Sequence, residues 1–297
     1  MVKINQILAY NFKFKKIEYL KLNQAIHFTI FAKLKTIFAH IISGLILIFL
    51  SSNTKAQYNW DIGIKAGASN YLGEIGGKEK TRRNFILDLK LKSTSFIVGG
   101  FVRYKFNDQW SLNNSLSIAQ IRGDDALSTN PARVWRNLRF KNNIVELTSR
   151  AEYNFFIEPD VGGRGRYNKE FKTFLHGGLT CFYHNPKGSK DGSTWHALRP
   201  LQTEGFSYKK LGIGIPVGLG MVFTYDRNHR FGFDFSWTPT FTDYLDDIST
   251  VYNDPDNMSE LGASLANQSN GVVPPEEALN YVTGEKRGDP NHDDTFM

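Results

Sequence analysis

The sequence predicts an all-β protein, an antiparallel up-and-down transmembrane β-barrel of eight strands. Three observations predict this fold: strictly alternating strands, an alternation of long and short connections, and aromatic residues at strand ends. The alternation is clearest in Asn143–Ile157, where one side is apolar, with Ser149 its only polar member, and the other carries Glu146, Arg150 and Glu152. One face therefore suits lipid and the other a polar interior, which is typical of a transmembrane strand.

Seven segments alternate in this way: Tyr58–Gly67, Thr94–Phe106, Trp110–Ile121, Asn143–Ile157, Phe171–His184, Leu211–Tyr225 and Phe231–Trp237. The connections after the first, third, fifth and seventh segments are long, whereas those after the second and sixth are short. Short periplasmic turns and long outer loops characterise outer-membrane barrels, so we expect a periplasmic N-terminus. Because bacterial single-chain barrels have even strand numbers, we also expect an eighth strand that begins near Asp293–Met297 and is truncated.

The polar faces of these segments carry charges of both signs. We predict a charge network in the lumen, formed by Asp61, Lys65, Arg103, Lys105, Glu146, Arg150, Glu152 and Asp234. An eight-stranded barrel is just wide enough for side chains to fill, so paired charges indicate a plugged interior. A selective pore would show one predominant sign. The glycines of Gly212–Gly220 are expected to admit bulky neighbours inside the barrel or to let the strand curl.

Residues 1–56 are predicted to be a signal peptide with an extended n-region, and residues 57–297 to be the barrel domain. The apolar run Ile37–Leu50 has the length of a signal-peptide core and is too short for an easy membrane span. Lys33 and Lys35 precede it, and cleavage is expected after Ala56. An N-terminal membrane anchor is the alternative interpretation.

The basic excess of the chain belongs to this leader. The whole chain has 36 Lys+Arg and 29 Asp+Glu, of which residues 1–56 contain eight lysines and one acid. The remaining chain is formally neutral, so its charge does not indicate nucleic-acid binding. Beyond position 240 there are twelve acids and two basic residues. We expect this acidic segment to fold back on basic outer loops, the alternative being a solvated loop; the chief partners would be Arg133, Arg136 and Arg139.

No residue pattern predicts a catalytic, cofactor-binding or metal site. Cys181 is the one cysteine of the sequence, which excludes an internal disulfide and a cysteine metal site. The histidines lack metal-ligand spacing, and His176 is expected to form hydrogen bonds in the lumen. The acids from Asp243 to Asp256 do not follow the EF-hand pattern.

Five segments together resemble the PorG family of small outer-membrane barrels from Bacteroidetes-type bacteria. They are SNYLGEIGG (Ser69–Gly77), RNLRFKNNIVEL (Arg136–Leu147), CFYHNPKG (Cys181–Gly188), FTDYLDDIST (Phe241–Thr250) and RGDP (Arg287–Pro290). The resemblance implies a role with the type IX secretion system, in which PorG is associated with a periplasmic ring of PorK and PorN. It also implies an eighth strand after the RGDP segment, where this chain departs from the family pattern.

We therefore expect a non-catalytic component or anchor of secretion or gliding machinery, embedded in the lipid of the cell outer membrane. The alternatives are a barrel of general structural role and a lipid-modifying enzyme, for which rim acids near Asp246 are the candidates. The expected contact with the periplasmic ring is the connection Glu158–Glu170. It offers side chains that interfaces favour or that pair with acids, namely Arg164, Arg166, Tyr167 and Lys169.

Overall fold

The computed structural model describes residues 59–75, 91–159, 161, 169–225 and 229–297, and the expected leader lies outside these ranges. In chain order the strands are β1 (Trp60–Ser69), β2 (Tyr71–Leu72), β3 (Ser95–Lys105), β4 (Trp110–Asp124), β5 (Arg139–Glu158), β6 (Glu170–Tyr183), β7 (Lys187–Gly188), β8 (His196–Ala197), β9 (Leu211–Gly214), β10 (Val217–Thr224), β11 (Arg230–Pro239) and β12 (Thr295–Phe296). Helices are short: α1 (Pro131–Arg136), α2 (Glu260–Ala266), and 3-10 turns at Leu91–Ser93, Asp125–Leu127, Arg199–Leu201, Pro255–Asn257 and Pro275–Tyr281.

The long strands form a nearly closed antiparallel barrel in which each pairs with its neighbours in the chain, as the sequence predicts. The hydrogen-bonded order is β1-β3-β4-β5-β6-β10-β11-β12-β2, with β9 also paired to β6. The expected start of an eighth strand is confirmed by β12, because Thr295 pairs with Pro239 of β11 and with Leu72 of β2. The strand therefore bridges the two edges of the sheet at the end of the barrel that carries the long loops, called the loop end below. The opposite end, with the short connections, is called the turn end.

The predicted alternation of strand faces is confirmed. Ile64, Leu147 and Phe233 point outward and are 90%, 61% and 72% exposed. Arg103 and Glu152, on the opposite parity, are buried inside the barrel. The barrel is thus apolar outside and polar within its turn-end half, the reverse of a water-soluble barrel.

Aromatic rings collect at the turn end of the outer surface. Trp60 lies 4.7 Å from Tyr104, and Trp110 lies 4.9 Å from Tyr153, measured between ring centroids. The turn between β3 and β4 is closed by Asn107, whose side-chain oxygen accepts hydrogen bonds from the backbone N–H groups of Gln109 and Trp110. This Asx turn is the tight turn expected from Asn107–Gln109.

Two local features differ from the sequence-based strands. A bulge after Asn154 shifts the β5–β6 register, so Ile157 pairs with Lys172 and shares its interior face, whereas the alternation of the sequence predicts that it faces outward. The sixth predicted strand is interrupted at Pro216, which has no N–H to donate, and it becomes β9 and β10.

The glycines of β9 and β10 make room for bulky interior neighbours, one of the two roles expected of them. A methyl group added to Gly212 would collide with the ring of Phe182, and one added to Gly220 would collide with Phe174. Both phenylalanines are buried in the barrel. The interior face of β6 therefore carries buried aromatic rings together with His176.

The loop-end half of the interior is an apolar core covered by the long loops. Ile121 and Phe140 point inward from β4 and β5, and Leu245 and Ile248 of the last loop pack on them. The loop residues that cover this core, 70–75, 184–210 and 240–294, are called the cap. Within the described ranges, no helix has the length and apolar character needed to cross a membrane.

Candidate functional site

The eight residues of the predicted lumen network all lie on the inward-facing side of their strands, seven of them buried or half-buried and Asp234 exposed. Asp61 of β1 is surrounded by three cations: Arg103 Nη1 at 3.6 Å, Lys105 Nζ at 3.2 Å and Arg230 Nη1 at 2.7 Å. Its carboxylate is buried, and burial of a charge is tolerated only where it is paired. The alternating strands explain the arrangement, because Asp61 and Arg103 face each other across the β1–β3 ladder.

Glu152 is the centre of the network. Its carboxylate lies 2.6 Å from Arg103 Nε and 3.4 Å from Arg150 Nε. Ser111 Oγ and Asn113 Nδ2 of β4 donate to the same carboxylate at 3.1 and 2.7 Å. A carboxylate with two arginines and two neutral donors has no remaining need for water.

The far side of the network closes through β6 and β11. Arg150 also pairs with Asp234, and His176 Nε2 lies 2.9 Å from the other oxygen of that carboxylate. Nearer the loop end, Lys65 Nζ lies 3.3 Å from Glu146 Oε1. The histidine is thus a hydrogen-bonding group of the lumen, as its position in the sequence predicts.

The network leaves little open space. At the turn end a recess lined by Asp61, Lys105, Lys172 and Arg230 has a cavity volume of about 20 Å³. This is roughly the room that one or two water molecules need. The arrangement can hold the strands in register and fill the interior of the barrel with side chains.

Sequence reasoning missed several members of the network. Arg230 falls between the sixth and seventh predicted segments, and Glu170, which lies 2.9 Å from Lys172, falls in the predicted connection Glu158–Glu170. Both lie at strand ends, where alternation has no flanking residues to define it. The donors Ser111 and Asn113 lie on the inward-facing side of β4. The alternation of that strand was the sequence signal that could have identified them.

Within the cap, four buried carboxyl groups converge near β12. Single oxygens of Glu74, Asp243 and Asp294 lie within 4.8 Å of one another. Tyr71 Oη donates to Asp294 Oδ1 at 2.6 Å, and the N–H of Leu245 donates to Asp294 Oδ2 at 3.0 Å. The adjacent Asp246 is the fourth member. Together these carboxyl groups are called the acid cluster.

Burial changes the acidity of this cluster. It raises the pKa of Asp246 to about 8, and the neighbouring Glu74 acts in the same direction. Burial, followed by the charges of Asp246 and Glu74, also raises the pKa of Asp294 well above its usual range. Asp246 and Asp294 therefore retain protons near neutral pH. Oxygen ligands at this spacing are also of the type that hard cations bind.

A second set of buried charged residues in the cap neutralises part of the acidic segment beyond position 240. Arg287 Nη1 lies 2.9 Å from Glu204 Oε1, and Arg287 Nη2 lies 3.8 Å from Asp247 Oδ2. Asp247 also accepts hydrogen bonds from Thr203 and, at 2.7 Å, from Tyr208 Oη. Burial raises the pKa of Asp247 to about 6, although Arg287 opposes this shift.

The expected ion pairing of the acidic segment with Arg136 and Arg139 is wrong, although the segment does fold onto the barrel. Arg136 Nε pairs with Asp125 at 2.8 Å, and Arg139 Nε pairs with Asp124 at 2.9 Å. Both partners belong to the β4–β5 hairpin: Asp125 follows β4, and Asp124 pairs with Arg139 at the end of the β4–β5 ladder. Arg136 reaches the last segment through a backbone carbonyl, donating to Arg287 O at 3.0 Å. The β4–β5 hairpin places these local partners within reach, because Asp124 lies directly opposite Arg139 in the ladder.

Three of the four predicted partner-contact residues, Arg164, Arg166 and Tyr167, lie outside the described residues. The fourth, Lys169, is exposed, and its ammonium group lies 5.5 Å from the ring centroid of Tyr225. Asp246, the candidate rim acid of an enzyme, is buried instead and accepts hydrogen bonds from the N–H groups of Ile75 and Ile248. It offers no carboxylate to a lipid at the surface.

Residues 39–287 match a family model described as "Domain of unknown function (DUF6089)", and the chain therefore belongs to this family. No curated protein matches the chain. No solved structure matches it either.

Proposed function

We propose that this member of the DUF6089 family is a non-catalytic barrel of the outer membrane whose interior is plugged. The single observation that carries the proposal is the exposed apolar outer face of the barrel. Large side chains such as Ile64, Leu147 and Phe233 are mostly exposed along the strands. Water-soluble monomers rarely expose contiguous apolar surface on this scale, and lipid is the medium that suits it.

The interior supports an anchoring role over conduction. The lumen charges are engaged with one another, and the cap packs on an apolar core at the loop end. A pore would need a continuous water-filled path, whereas the recess at the turn end has a volume of about 20 Å³. The expected contribution of the barrel is therefore to hold other components at the membrane.

The location is tested by fractionating cells and extracting the protein from the membrane with detergent. We expect recovery in the outer-membrane fraction, a β-rich far-ultraviolet circular dichroism spectrum, and migration on gels that changes with heating. Recovery in the soluble fraction without detergent would contradict the membrane proposal.

The role in type IX secretion is a further proposal that the resemblance to the PorG family supports. Its expected partners are ring proteins of the PorK and PorN type on the periplasmic side. On that side, the β3–β4 and β10–β11 turns are short, and the β5–β6 connection is the longest. The contact is assigned to Arg164, Arg166, Tyr167 and Lys169, with adjacent glycines that let a partner backbone approach.

The strand pairing defines which residues a test of this contact should replace. Glu158 pairs with Phe171 in the β5–β6 ladder, and Glu170 pairs with Thr224, so both residues belong to the barrel wall. Only residues 159–169 should be replaced, by an Asn-Gly turn. We expect an assembled barrel that no longer co-purifies with the ring proteins and secretes less cargo. Unchanged co-purification would exclude this connection as the contact, and unchanged secretion in a gene deletion would exclude the secretion role.

A further inference from the structure

We propose that three cations at the loop end bind the phosphate groups of an anionic lipid in the outer leaflet. Arg122 of β4 is the direct neighbour of Lys141 on β5, and Lys141 is the direct neighbour of Lys187 on β7. These residues, called the cation row, form a line across three strands. The inference rests on the proposed membrane location and goes beyond it by assigning a ligand.

The cation row continues the lipid-facing side of the barrel. On the outward face of β4 and β5, the pair Ile118–Val145 is followed by Gln120–Asn143 and then by Arg122–Lys141. Four residues of strand separate the apolar pair from the cationic pair, about 13 Å along the strand. The surface thus changes from apolar to amide to cationic, as the membrane does from acyl chain to headgroup.

The cations are not neutralised within the described part of the protein. No ion pair there involves any of the three, whereas the next pair along the same strands, Asp124–Arg139, is a salt bridge of 2.9 Å. Like charges placed directly opposite in a sheet destabilise it. A ligand carrying several negative charges would remove this repulsion.

The side chains are held in position by groups that leave charge available. Arg122 Nη2 donates to the backbone carbonyl of Thr94 at 2.8 Å and to that of Lys92 at 3.4 Å. Lys141 Nζ lies 4.2 Å from the ring centroid of Trp195. A cation over an aromatic ring and an arginine bound to carbonyls both retain their positive charge.

A phosphorylated lipid fits this surface better than a soluble anion does. Its acyl chains would lie on the exposed outer face that includes Leu116 and Ile118, while its phosphates reach the cation row. A second aromatic–cation contact, Lys210 Nζ at 5.9 Å from the Tyr183 ring, lies at the same end of the neighbouring strand. Aromatic and cationic side chains together are typical of the membrane interface.

The test compares two double variants with equal loss of charge. Lys141→Gln with Lys187→Gln removes two members of the row. Arg122 is kept, because it donates to the backbone carbonyls of Lys92 and Thr94 just before β3. Lys190→Gln with Lys286→Gln is the control, since both lysines are exposed on loops. Heat-modifiable migration establishes that each variant assembles. The purified full-length protein in uncharged detergent is then tested for binding to three ligands. They are vesicles of neutral lipid containing a bis-phosphorylated lipid A, the same vesicles with the dephosphorylated form, and inorganic phosphate.

We expect the row variant to bind the phosphorylated vesicles about ten- to thirty-fold more weakly than wild type, since each surface cation contributes about fivefold. The control variant and the dephosphorylated vesicles establish the baseline. Equal weakening in both variants would reduce the effect to net charge and overturn the proposal. Equal affinity for inorganic phosphate would indicate a free-phosphate site instead. If the protein is membrane-embedded and the row variant binds normally, the lipid inference alone fails; if it is soluble, the membrane proposal fails first.

Discussion

Arg230 Nη1 donates to Asp61 Oδ1 at 2.7 Å, and this pair joins β11 to β1, the last and first long strands of the barrel. Among the described strands, β1 and β11 share no ladder, and β12 bridges their edges only at the loop end. The ion pair therefore connects the two edges near the turn end, where no ladder pairs them, and unpaired sheet edges are costly in lipid.

Arg230→Gln is expected to destabilise the barrel by about 1–3 kcal/mol, because a buried carboxylate loses a charged hydrogen-bond donor. Asp61 keeps Arg103 and Lys105, so the variant should still assemble. Stability is measured as the urea midpoint in detergent. The exposed loop variant Lys190→Gln, expected within about 0.5 kcal/mol of wild type, is the control. A midpoint for Arg230→Gln equal to that of the control would exclude a stabilising role for the pair.

The opposite faces of β5 allow a second comparison. Leu147→Arg places a charge on the outer surface, at a cost of about 2–4 kcal/mol near the membrane midplane. Arg150→Leu leaves Glu152 paired with Arg103 and Asp234 paired with His176, so we expect the smaller loss of assembled protein. The fraction of heat-modifiable protein measures both. Equal assembly yields would contradict the assignment of the faces.

The strands and their faces could be predicted because period-two alternation is a local property of a sequence. Leu147 faces outward and Arg150 faces inward, and the residues next to them in the sequence predict both orientations. The alternation fails where the backbone departs from a regular strand. Ile157 changes face because of a bulge, and nothing in its immediate sequence marks the extra residue.

The cap could not be predicted, because its contacts join residues far apart in the chain. Arg287 meets Glu204 of another loop and Asp247 from a distant part of its own loop, and no periodicity links those positions. Arg136, by contrast, finds Asp125 within its own hairpin. Charge counting predicted that the acidic segment would be neutralised, but it could not identify the arginine responsible.

The acid cluster predicts a pH dependence of the cap. The pKa of Asp246 is raised to about 8, and that of Asp294 is also raised. A raised pKa in the folded state contributes stability that is fully present below the unfolded pKa near 4 and is lost as pH rises toward 8. Amide exchange of residues 240–296, corrected for intrinsic rates, should therefore show protection falling between about pH 5 and pH 8.

Asp246→Asn is the matched variant, because the amide keeps the shape and carries no titrating proton. We expect it to reduce this pH dependence and to raise cap stability at pH 8 by about 1 kcal/mol or more. Retention of the full wild-type slope would exclude Asp246 as the titrating group. Loss of protection on adding a chelator, at constant pH, would instead indicate that a cation neutralises the cluster.

The last prediction concerns the buried pair of Arg287 and Glu204. Both side chains are 2% exposed, and Arg287 also donates to the backbone carbonyls of Asp247 and Ala266 at 2.6 and 3.2 Å. Buried pairs are screened far less by salt than exposed ones. Protease cleavage of the acidic segment should consequently change little between about 0.05 and 0.5 M salt.

Arg287→Met should open the segment to protease, because it leaves Glu204 and Asp247 buried without their arginine, at a cost of about 3–5 kcal/mol. Lys286→Met is the adjacent control: its side chain is 68% exposed and pairs with Asp289 at 3.5 Å, so we expect less than about 1 kcal/mol. Cleavage that rises with salt in the wild type, or equally in both variants, would indicate that exposed charges hold the segment. Cleavage confined to Arg287→Met, at every salt concentration, would identify the buried arginine as the residue that keeps the acidic segment folded onto the cap.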